Sequence, residues 1–323
     1  MSSHGKVEGF APAAEDLFDT SPPDEPLRAS ALRRWKSRAT ATVSAAILPI
    51  VKRVARPYVG GDSVGEALCV AERLAGEGFG TTLGYWDSGR ESLRDIMGTY
   101  REAIARLGCG YVSLKPPALR FSAQLAGELA EAAAVRGMRL HCDSHAIKVA
   151  DASNAMLEAM ERRIAAKRLG TTLPGRWRRS LRDADWAAEH GLNVRVVKGQ
   201  WPDPADPGRP MSQGFLEVIG RLAGRARHVA VATHDFALAR ESIDRLRSAG
   251  TSCEVEVLFG IPARPLVRWA KQNGVAVRVY VPYGAGFIPN ALGVLKRNPR
   301  LAFAVAREYA ALAGEFVSGL TKH

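Results

Sequence analysis

A chain of 323 residues with 46% hydrophobic content is long enough to bury one large core, and its formal net charge of +12 raises the question of what the excess cations meet. No Lys/Arg-rich block alternates with aromatics, which argues against nucleic acid. The N-terminus has no basic start followed by an apolar run, and no apolar stretch reaches membrane-spanning length, so a cytoplasmic location with no transmembrane segment is expected.

Residues 1–27, rich in Ser, Pro, Asp and Glu, read as a disordered or loosely packed arm, and 28–323 as one barrel domain. A helix is predicted over 32–56, apolar at Ala45, Ile47, Leu48 and Val51, with Arg33, Arg34, Lys36 and Arg38 crowding its start. Those cations read as a solvated face, with an anionic partner or a peripheral membrane contact as the alternative. Then an alternation begins. Helices are predicted over 63–79, 91–108, 123–137, 152–167, 179–191, 212–226, 237–250 and 262–274. Strands are predicted over 80–86, 111–115, 138–143, 170–174, 193–199, 228–235, 253–259 and 275–282. Gly108 and Gly137 read as C-caps, and a last helix is predicted over 301–320. Of Cys69, Cys109, Cys142 and Cys253, three lie in apolar runs and read as buried thiols, with neither CxxC nor zinc spacing.

Eight short apolar strands, each with a helix at βα spacing, imply parallel pairing. The fold class expected is α/β, a (β/α)8 TIM-type barrel with an extra N-terminal helix and a C-terminal helix. An open doubly wound sheet is the alternative, but its usual GxGxxG turn is not found. A barrel gathers its chemistry where strands end. The polar residues there are Lys115, Asp143, Lys198, Thr233, His234, Glu254 or Glu256, Tyr280 and Tyr283, with Arg195 inside its strand. Each has a bland reading: a salt-bridge lysine, a hydrogen-bonded core histidine, a packed tyrosine. Their convergence at one mouth suggests a bound anion with proton or hydride chemistry. His141, Asp143 and His145 do not share a face suited to a metal, and no metal site is expected.

Six strand-end segments, in order, resemble the proline dehydrogenase family, FAD-dependent (β/α)8 enzymes that oxidise proline. VSLKPPAL (112–119) is similar to VSxKxSAL, LHCDSH (140–145) to IDAE, VRVVKGQW (194–201) to RLVKGAYW, VATHD (231–235) to ATHN, CEVEVLFG (253–260) to FEFQMLYG, and RVYVPYG (278–284) to the same heptapeptide. The resemblance implies Lys115, Asp143 and Tyr280 as catalytic residues facing substrate. It implies Arg195, Val197, Lys198, Gly199, Gln200, Thr233, His234 and Glu254 as cofactor-binding, with Arg195 near the flavin ring. Departures from the family pattern bear on the substrate. The YxxRR clamp for the substrate carboxylate falls, in register, on Asn290, Gly293 and Val294, and the following glutamate on Arg297. The first-strand DxLGE has become GYWDS (84–88), and Ala-Tyr after KG has become Gln200-Trp201. A pocket with Trp201, Asn290, Gly293, Val294 and Arg297 is expected to take an amine or imino-acid-like substrate other than free L-proline, passing electrons to FAD and then to a quinone or oxygen. The alternative is a non-catalytic relative acting as a binding or regulatory protein.

Overall fold

The computed structural model describes residues 60–261 and 263–287, and the predicted arm at 1–27 and helices at 32–56 and 301–320 lie outside them. Within them the order is α1 (Val64–Gly76), β1 (Gly80–Tyr85), α2 (Leu93–Arg106), β2 (Tyr111–Leu114), α3 (Ala123–Val135), β3 (Arg139–Cys142), α4 (Ala150–Glu161), β4 (Leu169–Pro174), α5 (Ser180–Glu189), β5 (Asn193–Val197), α6 (Met211–Leu222), β6 (His228–Ala232), α7 (Phe236–Ser248), β7 (Ser252–Leu258), α8 (Arg264–Gln272) and β8 (Ala276–Tyr283). The strands pair in chain order, all parallel, and β8 closes on β1 from Gly80↔Arg278 to Tyr85↔Tyr283. The expected closed (β/α)8 barrel is what forms.

Local chemistry starts the helices. Ser63 with Glu66 and Ser92 with Asp95 form capping boxes on α1 and α2, and Asp235 caps α7 by accepting from Leu238 N–H. The strand alternation then sorts two interiors. Val277, Val279 and Val281 on β8, Val194 and Val196 on β5, and Val255 and Val257 on β7 join helix residues such as Leu68, Ile104, Phe215 and Ile219 in one apolar layer between sheet and helices. The alternate residues point the other way. Inside the barrel, where branched aliphatics are the common filling, Arg195 bonds to Ser113 and Glu256, Arg278 to Glu254, and Tyr280 to Asp143.

Three details differ from expectation. α4 stops at Glu161, because Ile164 packs against the core and Arg163 reaches Glu131 on α3 at 3.0 Å; a 3₁₀ turn at Ala166–Arg168 carries the chain into β4. The helix over 91–108 closes at extended Leu107, and the left-handed glycine is Gly110, not Gly108. Only Cys142 is buried; Cys109, in the loop between α2 and β2, is exposed, Cys253 on β7 is half-buried, and Cys69 is exposed because an apolar run on the amphipathic α1 still turns some members outward.

Candidate active site

Asp143, just beyond β3, is the centre of the C-terminal end of the barrel. Its Oδ2 accepts from Lys115 Nζ at 2.9 Å and from Tyr280 Oη at 2.8 Å. Its Oδ1 accepts from Arg195 Nη1 at 2.8 Å and from Ser113 Oγ at 2.5 Å. Four donors from β2, β5, β8 and the β2 end therefore meet on one carboxylate. Arg195 continues the network: Nε and Nη2 donate to the two oxygens of Glu256, each at 2.8 Å, a bidentate pair. The guanidinium also lies over the Tyr280 ring, 5.1 Å from its centroid, and Lys115 Nζ lies 3.9 Å from the Trp86 ring. The backbone is held too: Lys115 N–H donates to buried Tyr100 Oη at 3.0 Å, and Asp143 N–H to Leu114 O at 2.9 Å.

Gly84 on β1 makes room for Tyr280. A Cβ there would fall 2.0 Å from the Tyr280 hydroxyl, so the phenol occupies space that any other residue would fill.

Burial works against ionising Asp143 more than any other single influence, yet Lys115 and Arg195 together hold it well below the usual carboxylate range. Burial, then the Asp143 charge, keeps Tyr280 a phenol. Burial and then Lys115 lower His145 to about 4. Asp143 is thus a fixed acceptor that holds Lys115 and Tyr280 in place, and neither it nor His145 is poised to exchange a proton near neutrality.

A cavity of about 300 Å³ opens over this network, at the lower end of the range for ligand sites. Of the residues expected to act there, Lys115, Asp143, Tyr280, Arg195, Val197, Gly199, Gln200, Trp201, Thr233 and His234 all line it. Two do not. Lys198 turns to Asp235, its Nζ 3.0 Å from Oδ2. Glu254 lies one inward position below Glu256, where it accepts from Arg278 Nε at 2.7 Å beside His228 Nε2 at 3.2 Å. Strand period puts Glu256 closer to the C-terminal end of β7, so the carboxylate at the cavity is Glu256. Asn290, Gly293, Val294 and Arg297 lie outside the described residues. Ser113, Trp86, His145 and Thr172 were missed. Ser113 had a signal, since it precedes Lys115 by two and so shares its face.

The segment after β5 is fixed in position. Trp177 Nε1 donates to Trp201 O at 3.0 Å, Arg176 Nη1 to Gln200 O at 3.2 Å, and Asp203 accepts from Arg178 N–H at 3.0 Å. These bonds present Trp201, which stacks on His145 with ring centroids 6.3 Å apart.

No protein-family model matches the chain. Proline dehydrogenase of Deinococcus radiodurans is 28% identical over 144 residues, 42% of this chain and 46% of that protein. Proline dehydrogenase 1 of Bacillus subtilis is 26% identical over 140 residues, 41% of this chain and 46% of that protein. The aligned stretch thus spans about half the length of these curated relatives. Among solved structures, proline utilization A from Bdellovibrio bacteriovorus, inactivated by N-propargylglycine, superposes with a TM-score of 0.63 at 16% identity, over 78% of this chain and 32% of that one. A bifunctional proline utilization A protein gives 0.59 at 17% identity, over 89% and 34%. The structural likeness speaks for the barrel, and the sequence likeness supports a proline dehydrogenase-like family for this chain.

Proposed function

We propose that the chain is a flavin-dependent oxidoreductase of the proline dehydrogenase type that oxidises the C–N bond of an amine or imino-acid-like substrate other than free L-proline. One observation carries the reading: Lys115, Asp143, Arg195 and Tyr280, drawn from four separate motifs of the resemblance, are bonded into one network at a cavity on the C-terminal side of a closed barrel.

The residues present fit a flat cofactor ring. Gly199, at φ +97°, keeps the wall low, and its Cβ would fall 2.8 Å from Pro174 Cβ. Val197 and Ala232 add small apolar surface, and Trp86 Nε1 and His145 Nε2 are buried without a hydrogen-bond partner among the described residues. Val197, Gly199, Gln200, Thr233 and His234 would hold FAD, and bound FAD supplies a two-electron acceptor. Asp143 orients Lys115 and Tyr280 toward the substrate nitrogen and holds the Tyr280 hydrogen, so that the neutral phenol offers its oxygen as an acceptor. Trp86 and Trp201 exclude water from the ring face.

The changed substrate rests on the register that puts Asn290, Gly293 and Val294 where the family carries its tyrosine and arginine pair, and on Gly84, whose place beside Tyr280 leaves no first-strand carboxylate. The test is the visible spectrum of purified full chain. Flavin absorbance that bleaches anaerobically on adding a cyclic secondary amine, and far more slowly with L-proline, is expected. A colourless protein that takes up no FAD refutes the reading.

A further inference from the structure

Two cations and two carboxylates line the cavity among the described residues, and they are already matched. Lys115 is on Asp143, and Arg195 is on Asp143 and, through two bonds, on Glu256. The Arg195 guanidinium is 3% exposed overall as a residue, with Glu256 at 2%, so this pairing sits where charge interactions are weakly screened. An arginine with a free edge attracts an anion; this one has its Nε, Nη1 and Nη2 engaged. The motif that this strand resembles, FEFQMLYG, carries glutamine at the position of Glu256. An amide there would leave Arg195 a net positive charge, whereas Glu256 cancels it.

We infer that Glu256 is a specificity-determining residue that makes the cavity one for cationic or neutral amines and excludes carboxylates. An entering carboxylate meets Arg195 with each of its three nitrogens already bonded, two of them to Glu256, and Glu256 as a like charge, both desolvated. An entering ammonium meets Glu256 as an opposite charge, and the like charge of Lys115 is matched by Asp143. The aromatic walls Trp86, Trp201 and Tyr280 offer ring faces to a cation or a neutral ring, as Trp86 already does to Lys115. The inference builds on the amine reading of the site above but not on its redox step.

Three probes with one ring separate the cases: pyrrolidine, L-prolinamide and L-proline, titrated calorimetrically into the full chain at neutral pH. Pyrrolidine and prolinamide are expected to bind at least about tenfold tighter than proline. In Glu256→Gln, proline affinity rises about tenfold and pyrrolidine affinity falls, so the preference narrows or reverses. Glu256→Asp, which keeps the charge, retains the wild-type order and guards against a Gln variant that fails to fold. Wild type that binds proline as tightly as prolinamide, wild type that binds neither amine, or a Gln variant with an unchanged ratio overturns the inference. A colourless protein that still prefers the amide refutes the redox reading and leaves this one standing; a yellow protein that prefers proline does the reverse.

Discussion

Replacing Asp143 with Asn isolates what the central carboxylate contributes. The change keeps size and one acceptor oxygen but removes the charge. Lys115, whose side chain is 5% exposed, then keeps an ammonium with no carboxylate beside it among the described residues, while Arg195 still holds Glu256. Breaking a buried pair by neutralising one partner costs about 3–5 kcal/mol. The lower half of that range applies, since Arg195 remains compensated and the Tyr280 bond to the amide oxygen survives. For a domain of this size, about 3 kcal/mol corresponds to a fall of roughly 6–12 °C in Tm. Thermal and urea denaturation followed by circular dichroism measures it. Adding Lys115→Met to Asp143→Asn should recover more than half the loss, because the stranded cation is gone. A single variant within about 1 kcal/mol of wild type, or a double variant that is simply the sum of the two singles, would refute the claim that Asp143 and Lys115 are coupled.

Glu254 has its own signature in acid. Burial opposes its charge most, but His228 and Arg278 lower it to about 2 from an ordinary 4.5. A depressed carboxylate stabilises the fold above its unfolded pKa, and that contribution disappears as pH falls from about 4.5 toward 2. About 2.5 units correspond to roughly 3 kcal/mol. Stability measured at pH 6 and pH 3 should therefore drop less in Glu254→Gln than in wild type, and an equal drop contradicts the assignment. His145 acts in the same direction over a higher window. Burial and Lys115 lower it to about 4, so its contribution is complete above about 6.5 and declines below that; His145→Phe should flatten the stability profile between pH 6.5 and 4. Gly84→Ala pushes a Cβ to within 2.0 Å of the Tyr280 hydroxyl. Displacement of that ring should cost about 1–3 kcal/mol and alter the near-ultraviolet dichroism, while Gly76→Ala, where nothing lies within 4 Å, should not.

How far the sequence could be read depended on distance along the chain. Strands and helices were legible because their signals are local. VRVYVP announces a strand by alternation, and a serine three residues before an acid announces a helix start. The same alternation made Lys115, Asp143 and Tyr280 recognisable as strand-end residues and Arg195 as an inward residue within its strand. What it did not reveal was pairing. Ser113 and Arg195 are 82 positions apart, and Arg195 and Glu256 are 61 apart, so their bonds depend on closure and stagger of the barrel. Glu254 and Glu256 show the limit most clearly. Both face inward two residues apart, with indistinguishable local sequence, and where β7 ends, together with its register with β8, Glu254↔Ala276 and Glu256↔Arg278, separates a carboxylate that serves the lower layer from one at the cavity.

That separation changes what Arg195 means. In isolation an inward arginine in the middle of β5 is an anion-binding residue, and a flavin or a carboxylate is the natural inference. In the barrel it is one member of a closed set of charges, Lys115–Asp143–Arg195–Glu256, whose formal sum is zero. Replacing such a set with aliphatics of similar volume often leaves stability unchanged or improved, so the ions are poor candidates for mere scaffolding. A barrel whose helix-facing layer is already a continuous apolar core does not need them to fold. Their retention at the cavity end is best accounted for by ligand chemistry. The position that decides this chemistry is Glu256, the carboxylate that takes two of Arg195's hydrogen bonds without bonding to Lys115 or Tyr280 among the described residues.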